Sequence, residues 1–212
     1  GLADRAAALT SSHFCTAERQ YRTPLTYGGK RTPTAQWTAT AAGAVLLTPT
    51  GRGPQVGAVC FGRVRDFDVT DINNMGGAMA PAAAETLLRF FARSGRRPED
   101  YDSIYTGDLG FVGSRLLLEI LQAEGLPLQN HQDCGLLLYD RARQQVKAGG
   151  SGAGCSAAVL AAHILPGLAK GQLRRVLLLS TGALMSQTTF LQGESIPGIA
   201  HLVELLAPDV PV

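Results

Sequence analysis

Residues 148–157 read Ala-Gly-Gly-Ser-Gly-Ala-Gly-Cys-Ser-Ala, and this stretch is the most informative part of the sequence. Four glycines within six positions let the backbone turn tightly and pass close to other groups. A helix is predicted over residues 156–168, so unpaired N–H groups and the positive end of a helix dipole follow the turn. The stretch is either a tight turn that lets a small-residue helix pack closely, or a binding site for a carboxylate, phosphate or oxyanion.

The glycine pattern does not match two common nucleotide-binding motifs. A P-loop has Lys followed by Ser or Thr after its last glycine, whereas Cys155 and Ser156 follow Gly154 here. A dinucleotide fingerprint has a different glycine spacing and an acidic residue about 20 positions further on, where this sequence has none. Neither kind of nucleotide site is therefore predicted.

Segments on either side of this turn alternate between strand patterns and helical patterns. Helical spacing predicts one helix that has Pro81 in its first turn and ends at Gly95, and another over residues 112–124. Apolar runs predict strands at residues 2–10, 38–48, 56–69, 101–106, 136–139, 146–148, 174–181 and 199–206. The alternation predicts an α/β protein whose sheets are covered on both faces.

The composition limits the class of protein. Of the 212 residues, 45% are hydrophobic and 17% are charged, which excludes an intrinsically disordered chain. The net charge of +2 does not indicate nucleic-acid binding, which usually needs a strongly basic face. No apolar run approaches the length of about 18 residues that indicates a membrane-spanning helix. The chain begins at Gly1, so we expect either a processed end or part of a longer protein.

The cysteines and histidines are too dispersed to indicate a metal site. Free thiols in a reducing cytoplasm are the expected state of the cysteines, and no zinc site is predicted. The residues concerned are Cys15, Cys60, Cys134, Cys155, His13, His131, His163 and His201. Cys155 stands at a predicted helix start, where a thiol pKa is often depressed, so it is either a reactive thiol or a small packing residue. A reactive Cys155 would need a base, and His131 and His201 are the candidates.

Polar residues follow several of the predicted strands. Asp108 lies at a strand end, where ligands collect in open α/β sheets, and is either a ligand contact or a helix N-cap. Asp133 precedes a predicted strand and is either a site residue or a turn residue. Ser12, His13 and Arg19 follow the first strand and either reach the same cleft or are ordinary loop residues.

Seven segments, taken together and in order, resemble the stage V sporulation protein AD family of spore-forming bacteria. The segments are residues 10–14, 16–20, 74–84, 106–109, 133–135, 148–157 and 195–197 with 199–201. The longest of them reads Asn-Met-Gly-Gly-Ala-Met-Ala-Pro-Ala-Ala-Ala. The likeness covers nearly the whole chain, and motifs of this length are specific.

The resemblance implies a fold similar to that of thiolases and β-ketoacyl synthases, an αβαβα stack built of two similar α/β halves. Residues 1–70 would be the end of the first half and residues 71–212 the whole second half. The fold would then be incomplete, because the helix that carries the nucleophilic cysteine of thiolase-type enzymes lies upstream. We therefore expect this chain to be part of a protein of roughly 340 residues, judged from the size of a two-half fold.

The sequence departs from the enzymes of this superfamily in two places. Condensing enzymes usually carry a His in a strand-end loop, where this chain has Asp108, and a His or Asn in a glycine-rich turn, where it has Ser151 and Gly152. The proton-transfer and oxyanion roles therefore have no evident owner. We expect a binding protein without catalysis; an acyltransferase or 3-oxoacyl synthase-like enzyme and a scaffold with a vestigial pocket are the alternatives.

The resemblance also implies a function, the loading of dipicolinic acid into the developing spore. The ligand, with or without calcium, would bind without a cofactor, and the partners would be membrane proteins of the same transport system. The protein would be cytoplasmic, peripherally associated with the spore inner membrane, and a homo-oligomer is an open option. The predicted ligand-binding residues are Ser12, His13, Asp108, Asp133, Gly150, Ser151, Gly152, Gly154, Cys155 and His201.

Two consequences follow for a dicarboxylate ligand. Backbone N–H groups of the glycine-rich turn suit its carboxylates. Asp108 and Asp133 would be awkward neighbours, unless they accept from a protonated pyridine nitrogen, orient a side-chain donor or bind an accompanying calcium ion. Half of a two-half fold also leaves an apolar face uncovered, so we expect this chain alone to self-associate or aggregate.

Overall fold

A computed structural model describes residues 3–21 and 31–211 of the chain, with the backbone alone at residues 18–21. In this part of the chain the strands are β1 (Ala6–Ser12), β2 (Trp37–Thr38), β3 (Ala41–Leu47), β4 (Gln55–Cys60), β5 (Ser103–Thr106), β6 (His131–Asp133), β7 (Gly150–Ser151), β8 (Arg175–Ala183) and β9 (Gly198–Leu206). The helices are α1 (Phe14–Tyr21), α2 (Met75–Ser94), α3 (Gly110–Ala123), α4 (Cys134–Leu138), α5 (Ala153–Val159), α6 (Leu165–Ala169) and α7 (Gln187–Leu191). A π-helical turn (Leu160–Ile164) joins α5 to α6.

A mixed five-stranded sheet forms the centre of the molecule, with the strand order β4-β9-β8-β5-β6. Strand β5 runs parallel to both β6 and β8, whereas β9 runs antiparallel to β8 and β4. The apolar run of β8 is buried on both sides, from Val176 to Leu179, as its unbroken hydrophobic pattern predicts. The predicted α/β class is therefore confirmed.

Helices α2 and α3 cover one face of this sheet. Helix α2 begins where the side chain of Asn74 accepts a hydrogen bond from the Gly77 N–H, and it ends at Gly95, whose φ of 67° needs no Cβ. Leu87 of α2 and Leu117 of α3 pack with the sheet residues as one apolar core. The existence of both helices is confirmed, since α3 occupies residues 110–123, but Pro81 lies inside α2 and not in its first turn, because the Asn74 cap starts the helix at Met75.

Helices α4, α5 and α6 cover the opposite face. Their buried side chains form a second apolar cluster with the other side of the sheet. Cys155, Ile164, Leu168, Val176 and Leu178 belong to this cluster. The sheet is therefore covered on both faces, as the sequence predicts.

Strands β1 and β3 pair antiparallel and form a small separate sheet. This sheet packs on α5 so closely that a Cβ at Gly43 would lie 2.4 Å from the carbonyl oxygen of Ala157. Apolar side chains elsewhere on the pair remain open, since Leu9 is 75% exposed and Leu46 is 66% exposed. The expected uncovered apolar surface is present, while self-association stays a prediction.

Three predicted strands are wrong or too long. Residues 136–139 lie mostly in helix α4, because Asp133 caps its first turn and a short apolar run does not distinguish strand from helix. Residues 146–148 form a turn before β7. The predicted strand over residues 56–69 ends at Cys60, beyond which the chain rejoins β9 at a single bridge between Arg65 and Gly198.

Two further boundaries differ from the prediction. The helix predicted to begin at residue 156 begins at Ala153, because the glycine-rich turn already has helical geometry beyond Gly152. The division near residue 70 stays a prediction, although β4 on its N-terminal side pairs with β9 on its C-terminal side. Among the helices that the structure describes, none is both long enough and apolar enough to cross a bilayer.

Candidate functional site

A cleft of about 990 Å³ opens between the glycine-rich turn, the β1–α1 connection, the end of β8 and the start of α2. Eight of its lining residues are serines or threonines, namely Ser11, Ser12, Thr16, Thr38, Thr40, Ser151, Ser156 and Thr181. One wall is apolar and contains Met75, Met79, Leu184 and Met185. Asp108 is the one carboxylate that lines the cleft among the residues whose side chains the structure describes. The lining therefore combines many neutral hydrogen-bonding groups with a deformable thioether surface.

The glycine-rich turn is held against β2 by backbone hydrogen bonds. The Trp37 N–H donates to the carbonyl of Gly149 at 2.8 Å, and the Ala39 N–H donates to that of Ser151 at 2.9 Å. Gly152 then adopts a φ of 97°, which favours glycine, and turns the chain into α5. The turn is consequently a rigid wall of the cleft.

The carboxylate of Asp108 occupies the start of α5. Its Oδ2 accepts a hydrogen bond from the Gly152 N–H at 2.8 Å, and its Oδ1 accepts one from the Thr181 hydroxyl at 2.8 Å. Asp108 therefore does not cap α3, which directly follows it, and the N-cap interpretation is wrong. Asp108 itself is the anion that occupies the predicted anion site, because its negative charge lies at the positive end of the α5 dipole.

Ser12 accepts from the N–H of Gly154, in the first turn of the same helix. Its hydroxyl accepts from the Gly154 N–H at 3.0 Å and donates to the carbonyl of Ala39 at 2.7 Å. Gly154 also meets a close-packing requirement, since a Cβ there would lie 2.1 Å from the carbonyl oxygen of Ala41. The two interpretations of the glycine-rich stretch therefore both apply: it packs closely and it binds an anion, but that anion is the chain's own carboxylate.

Cys155 is a buried packing residue. Burial is the main reason why the pKa of its thiol is raised well above the usual range, and the charges of Asp108 and Asp133 raise it further. The thiol of Cys134 is buried in the same apolar cluster, and burial raises its pKa as well. Both thiols are therefore neutral at physiological pH, and the interpretation of Cys155 as a depressed-pKa thiol is wrong.

Neither candidate base reaches Cys155 by way of the cleft. His201 lies on the exposed side of β9, where its Nδ1 accepts a hydrogen bond from the Gly62 N–H at 3.0 Å. His131 lies at the start of β6 and contacts the Thr106 hydroxyl through Nε2 at 2.9 Å. Burial lowers the pKa of His131 to about 4, so its imidazole is neutral at physiological pH. The histidine that lines the cleft is His13, whose Nδ1 is 3.3 Å from the Thr16 hydroxyl.

Asp133 lies behind the cleft and not in its lining. It ends β6 and caps helix α4, so it precedes a helix and not the predicted strand. Its side chain is 1% exposed, and burial raises the pKa of its carboxyl to about 6, although hydrogen bonds from Thr106 and two backbone N–H groups lower it. The negative charge of Asp108 also raises this pKa.

The structure brings most of the predicted site residues to one place. Ser12, His13, Asp108, Ser151 and Gly152 line the cleft. Gly150, Gly154 and Cys155 lie just behind the glycine-rich wall, and the Cβ of a residue at position 150 would lie 3.2 Å from the Cys155 sulfur. Asp133 and His201 stay outside the lining, and the side chain of Arg19 lies outside the described residues.

Sequence reasoning missed several polar residues of the site, and Gln36 and Thr181 make the most informative contacts among them. Gln36 donates from Nε2 to the carbonyl of Asp108 at 2.6 Å and to that of Gly150 at 2.9 Å. No sequence signal identifies Gln36, because it stands in a polar segment with prolines. Thr181, by contrast, lies near the carboxyl end of a predicted strand, where ligands collect in α/β sheets, and that rule would have found it.

The described residues contain no cluster of three or more His, Cys, Asp or Glu side chains that could hold a metal ion. Among the described residues, the cleft is lined by hydroxyls, backbone groups, the Asp108 carboxylate, the Gln36 amide, the His13 imidazole and thioethers.

The sheet order and the glycine-rich turn define a thiolase-like fold of the kind found in condensing enzymes. The structure is similar to AbyA1, a tetronic acid condensing enzyme, with a TM-score of 0.57, 17% identity, and coverage of 97% of this chain and 60% of that chain. It is also similar to a variant of OleA from Xanthomonas campestris bound with cerulenin, with a TM-score of 0.52, 12% identity, and coverage of 94% of this chain and 55% of that one. At these identities the likeness shows the fold alone, and it confirms the predicted thiolase-like class.

The chain belongs to the stage V sporulation protein AD family. The model of that family matches residues 1–206. The chain is 49% identical over 202 residues to stage V sporulation protein AD of Bacillus subtilis (strain 168), which covers 95% of this chain and 60% of that protein. The family predicted from the sequence motifs is confirmed, and the chain spans about three fifths of the length of this curated relative.

Proposed function

We propose that this protein is the ligand-binding component of dipicolinic acid uptake into the developing spore and has no acyl-transfer activity of its own. Membership of a sporulation protein family supports the biological setting. The observation that supports binding without catalysis is the bond between the Asp108 carboxylate and the Gly152 N–H at 2.8 Å.

That hydrogen bond occupies a backbone N–H group that acyl transfer would need for an oxyanion. An oxyanion site requires donors that point to the position where negative charge develops. In this cleft the N–H of Gly152 already donates to Asp108, and that of Gly154 donates to Ser12. A further oxyanion at the same place would also be repelled by the charge of Asp108.

The cleft has groups that suit a small aromatic dicarboxylate. Hydroxyls such as those of Thr40 and Ser156 line it and can donate to carboxylate oxygens. The methionine wall at Met75, Met79 and Met185 gives the pyridine ring an apolar surface, since thioethers pack well against aromatic rings. We propose that the ligand lies between these two walls.

Because Asp108 is negatively charged, the charge of the ligand matters, and calcium changes that charge. A free dipicolinate dianion is repelled by Asp108, whereas its calcium chelate carries no net charge. Asp108 already orients the Gly152 N–H and the Thr181 hydroxyl, so we propose that it acts as an orienting group and not as a direct partner of the pyridine nitrogen. The partners would be membrane proteins of the same transport system at the spore inner membrane.

Titration calorimetry with dipicolinate, with and without calcium, tests the proposal. We expect binding that weakens in a variant combining Thr40→Val with Ser156→Ala, and no strengthening by calcium of the binding of benzene-1,3-dicarboxylate, which lacks the ring nitrogen that helps to chelate calcium. Thr48→Val is the matched control, because Thr48 lies on the exposed stretch after β3 and outside the cleft lining. Absence of heat and of any thermal shift at millimolar dipicolinate would contradict the proposal.

The alternative is acyl transfer, because the fold is similar to that of condensing enzymes. Incubation with acetyl-CoA followed by mass spectrometry separates the two functions. We expect Cys155 to remain unmodified because it is buried and its thiol pKa is raised. An acyl adduct on Cys155 would support the enzyme instead.

A further inference from the structure

A buried carboxylate lies directly behind the loop that carries Asp108. This carboxylate, Asp133, ends β6 and accepts hydrogen bonds from three different elements. We propose that Asp133 is a positioning residue, which sets the Asp108 carboxylate against the glycine-rich turn without touching the ligand. The effect on the ligand rests on the proposed function, whereas the positioning itself does not.

Four donors converge on the two oxygens of Asp133. Oδ2 accepts from the Thr106 hydroxyl at 2.7 Å and from the Leu109 N–H at 2.8 Å. Oδ1 accepts from the Gly110 N–H at 3.0 Å and from the Leu136 N–H at 3.2 Å. Three of these donors lie on the segment that runs from the end of β5 to the start of α3, and this segment contains Asp108.

The position of those donors explains how Asp133 acts on Asp108. Thr106 lies two residues before Asp108, and Leu109 and Gly110 lie directly after it. Asp133 therefore fixes the loop on both sides of Asp108. The Asp108 backbone is also held from the cleft side, since its N–H donates to the Thr181 hydroxyl and its carbonyl accepts from Gln36, and its side chain reaches across the cleft to the Gly152 N–H and the Thr181 hydroxyl.

The loop that carries Asp108 also packs directly against the start of the glycine-rich stretch. Gly110 has a φ of 65°, and a Cβ there would lie 2.6 Å from the carbonyl oxygen of Ala148, which begins the glycine-rich stretch. The Phe111 N–H also donates to that Ala148 carbonyl at 2.7 Å. The two segments are thus in direct contact, so a shift of the Asp108 loop changes its register against the glycine-rich turn.

A carboxylate is needed for this role, and an amide does not replace it. All four partners donate, and a carboxylate accepts on both oxygens, whereas the side chain of Asn accepts on one oxygen and donates from its NH₂ group. In Asp133→Asn the NH₂ group faces two donors in a buried site. Those two donors lose their acceptor, and an unsatisfied buried donor is costly.

The test uses the amide signal of Gly152, whose N–H donates to Asp108, in NMR spectra of the purified protein without ligand. We expect Asp133→Asn to move this signal upfield in the same direction as Asp108→Asn, because both lengthen the Gly152–Asp108 hydrogen bond. With the calcium chelate of dipicolinate, which carries no net charge, we expect both variants to weaken binding by about tenfold, the scale of one hydrogen bond to a charged group.

Asp102→Asn is the matched control. The Asp102 carboxylate also accepts backbone N–H groups, those of Arg174 and Arg175 at 2.6 and 2.9 Å, but it lies at the opposite end of β5. We expect this control to leave the Gly152 signal and dipicolinate binding unchanged. Thr106→Val, which removes a single donor to Asp133, keeps the test usable when Asp133→Asn does not fold, and it should give a smaller shift in the same direction.

The outcomes separate the two proposals. An unchanged Gly152 signal in folded Asp133→Asn, or in Thr106→Val, overturns the positioning role. A shifted Gly152 signal in a protein that binds no dipicolinate in its parent form supports the positioning role and contradicts the proposed function. Weakened binding with an unchanged Gly152 signal also overturns the positioning role, since it means that Asp133 acts on the ligand by another route.

Discussion

Asp108 Oδ2 accepts a hydrogen bond from the backbone N–H of Gly152 at 2.8 Å, although the two residues lie 44 positions apart in the chain. The bond joins the loop after β5 to the start of α5. It places a carboxylate at the positive end of a helix dipole, where an anionic ligand or a developing oxyanion would otherwise be stabilised. The start of α5 is thereby occupied by an anion that belongs to the chain itself.

Substitution of Gly152 by Ala should destabilise the protein by about 2–4 kcal/mol, from the strain of a non-glycine residue at positive φ and from steric contact. Gly152 has a φ of 97°, and a Cβ there would lie 3.0 Å from the Ser12 oxygen. Gly125→Ala is the control, because Gly125 has a φ of 77° but no atom within 4 Å of the added Cβ. Denaturant unfolding of both variants measures the difference, and an equal loss would show that the Ser12 contact is unimportant.

Ser12→Ala should lower the free energy of unfolding by about 1 kcal/mol, the usual effect of removing a helix-capping side chain. The Ser12 hydroxyl is the acceptor for the Gly154 N–H at 3.0 Å. Ser11→Ala, one position earlier on the exposed side of β1, should have little effect. Thermal unfolding checks this pair, and equal melting temperatures for both variants would argue against the capping role.

His131→Gln should change the way stability depends on pH. Burial lowers the pKa of His131 to about 4, so the folded state holds fewer protons than the unfolded state between about pH 4 and the ordinary pKa of 6.5. This group therefore makes the parent protein gain stability as the pH rises through that interval, by up to about 3 kcal/mol. The variant should lose this gain, whereas His13→Gln, at an exposed position, should keep it.

The neighbouring Asp133 acts in the opposite direction. Burial raises its pKa to about 6, above the ordinary 3.8, so its contribution is present at low pH and is lost as the pH rises towards 6. The two effects partly cancel in the parent protein. Unfolding curves at half-unit pH steps should therefore show a stability that falls more steeply, or rises less, with pH in His131→Gln than in the parent. Parallel curves for the two proteins would contradict the assignment.

Alkylation with iodoacetamide under native conditions should modify Cys15 and spare Cys134 and Cys155. Cys15 is exposed, whereas the other two thiols are buried and their pKa values are raised. All three should react after denaturation, which is the internal control. Rapid labelling of Cys155 in the folded protein, read by mass spectrometry, would reopen its role as a nucleophile.

Glu204→Gln should destabilise the protein by about 3–5 kcal/mol, the usual effect of removing one partner of a buried ion pair. Glu204 is 3% exposed, and its carboxylate contacts Arg175 at 2.6 Å and the Tyr101 hydroxyl at 3.1 Å. Glu119→Gln is the control, since its pair with Arg115 at 3.9 Å is exposed. Similar unfolding free energies for the two variants would show that the buried pair contributes little.

The sequence was a good guide to elements with strong local signals. Gly95 marks the end of α2, and the unbroken apolar run of β8 indicates a strand buried on both faces, whereas Pro81 did not mark the start of α2, which begins at Met75. The short apolar run at residues 136–139 led to a wrong strand prediction, because the helix that forms there depends on the cap that Asp133 provides. Local patterns therefore predicted the elements that do not depend on distant partners.

The candidate site was predictable in its residue types but not in its connections. The glycine-rich turn, Asp108 and Ser12 were all identified from strand-end and helix-start positions, yet their mutual bonds span 44 and 142 positions. The prediction that His201 could act as a base for Cys155 was wrong. The face of a strand that a residue occupies depends here on the register between β8 and β9, which a local pattern does not give. Gln36 gives no local signal at all, since its role arises only when two distant carbonyls meet it.

The bonds of Asp108 also constrain how this cleft can evolve. A residue that recognised a ligand alone could be exchanged freely to change specificity, but Asp108 also joins the β5 loop, the end of β8 and the start of α5. A substitution of Asp108 that adapts the cleft to a new ligand would therefore first lower folding stability, and it would need a compensating change elsewhere. Redesign of specificity should be easier at the methionine wall, where a side chain can be exchanged without breaking a bond that holds the fold together.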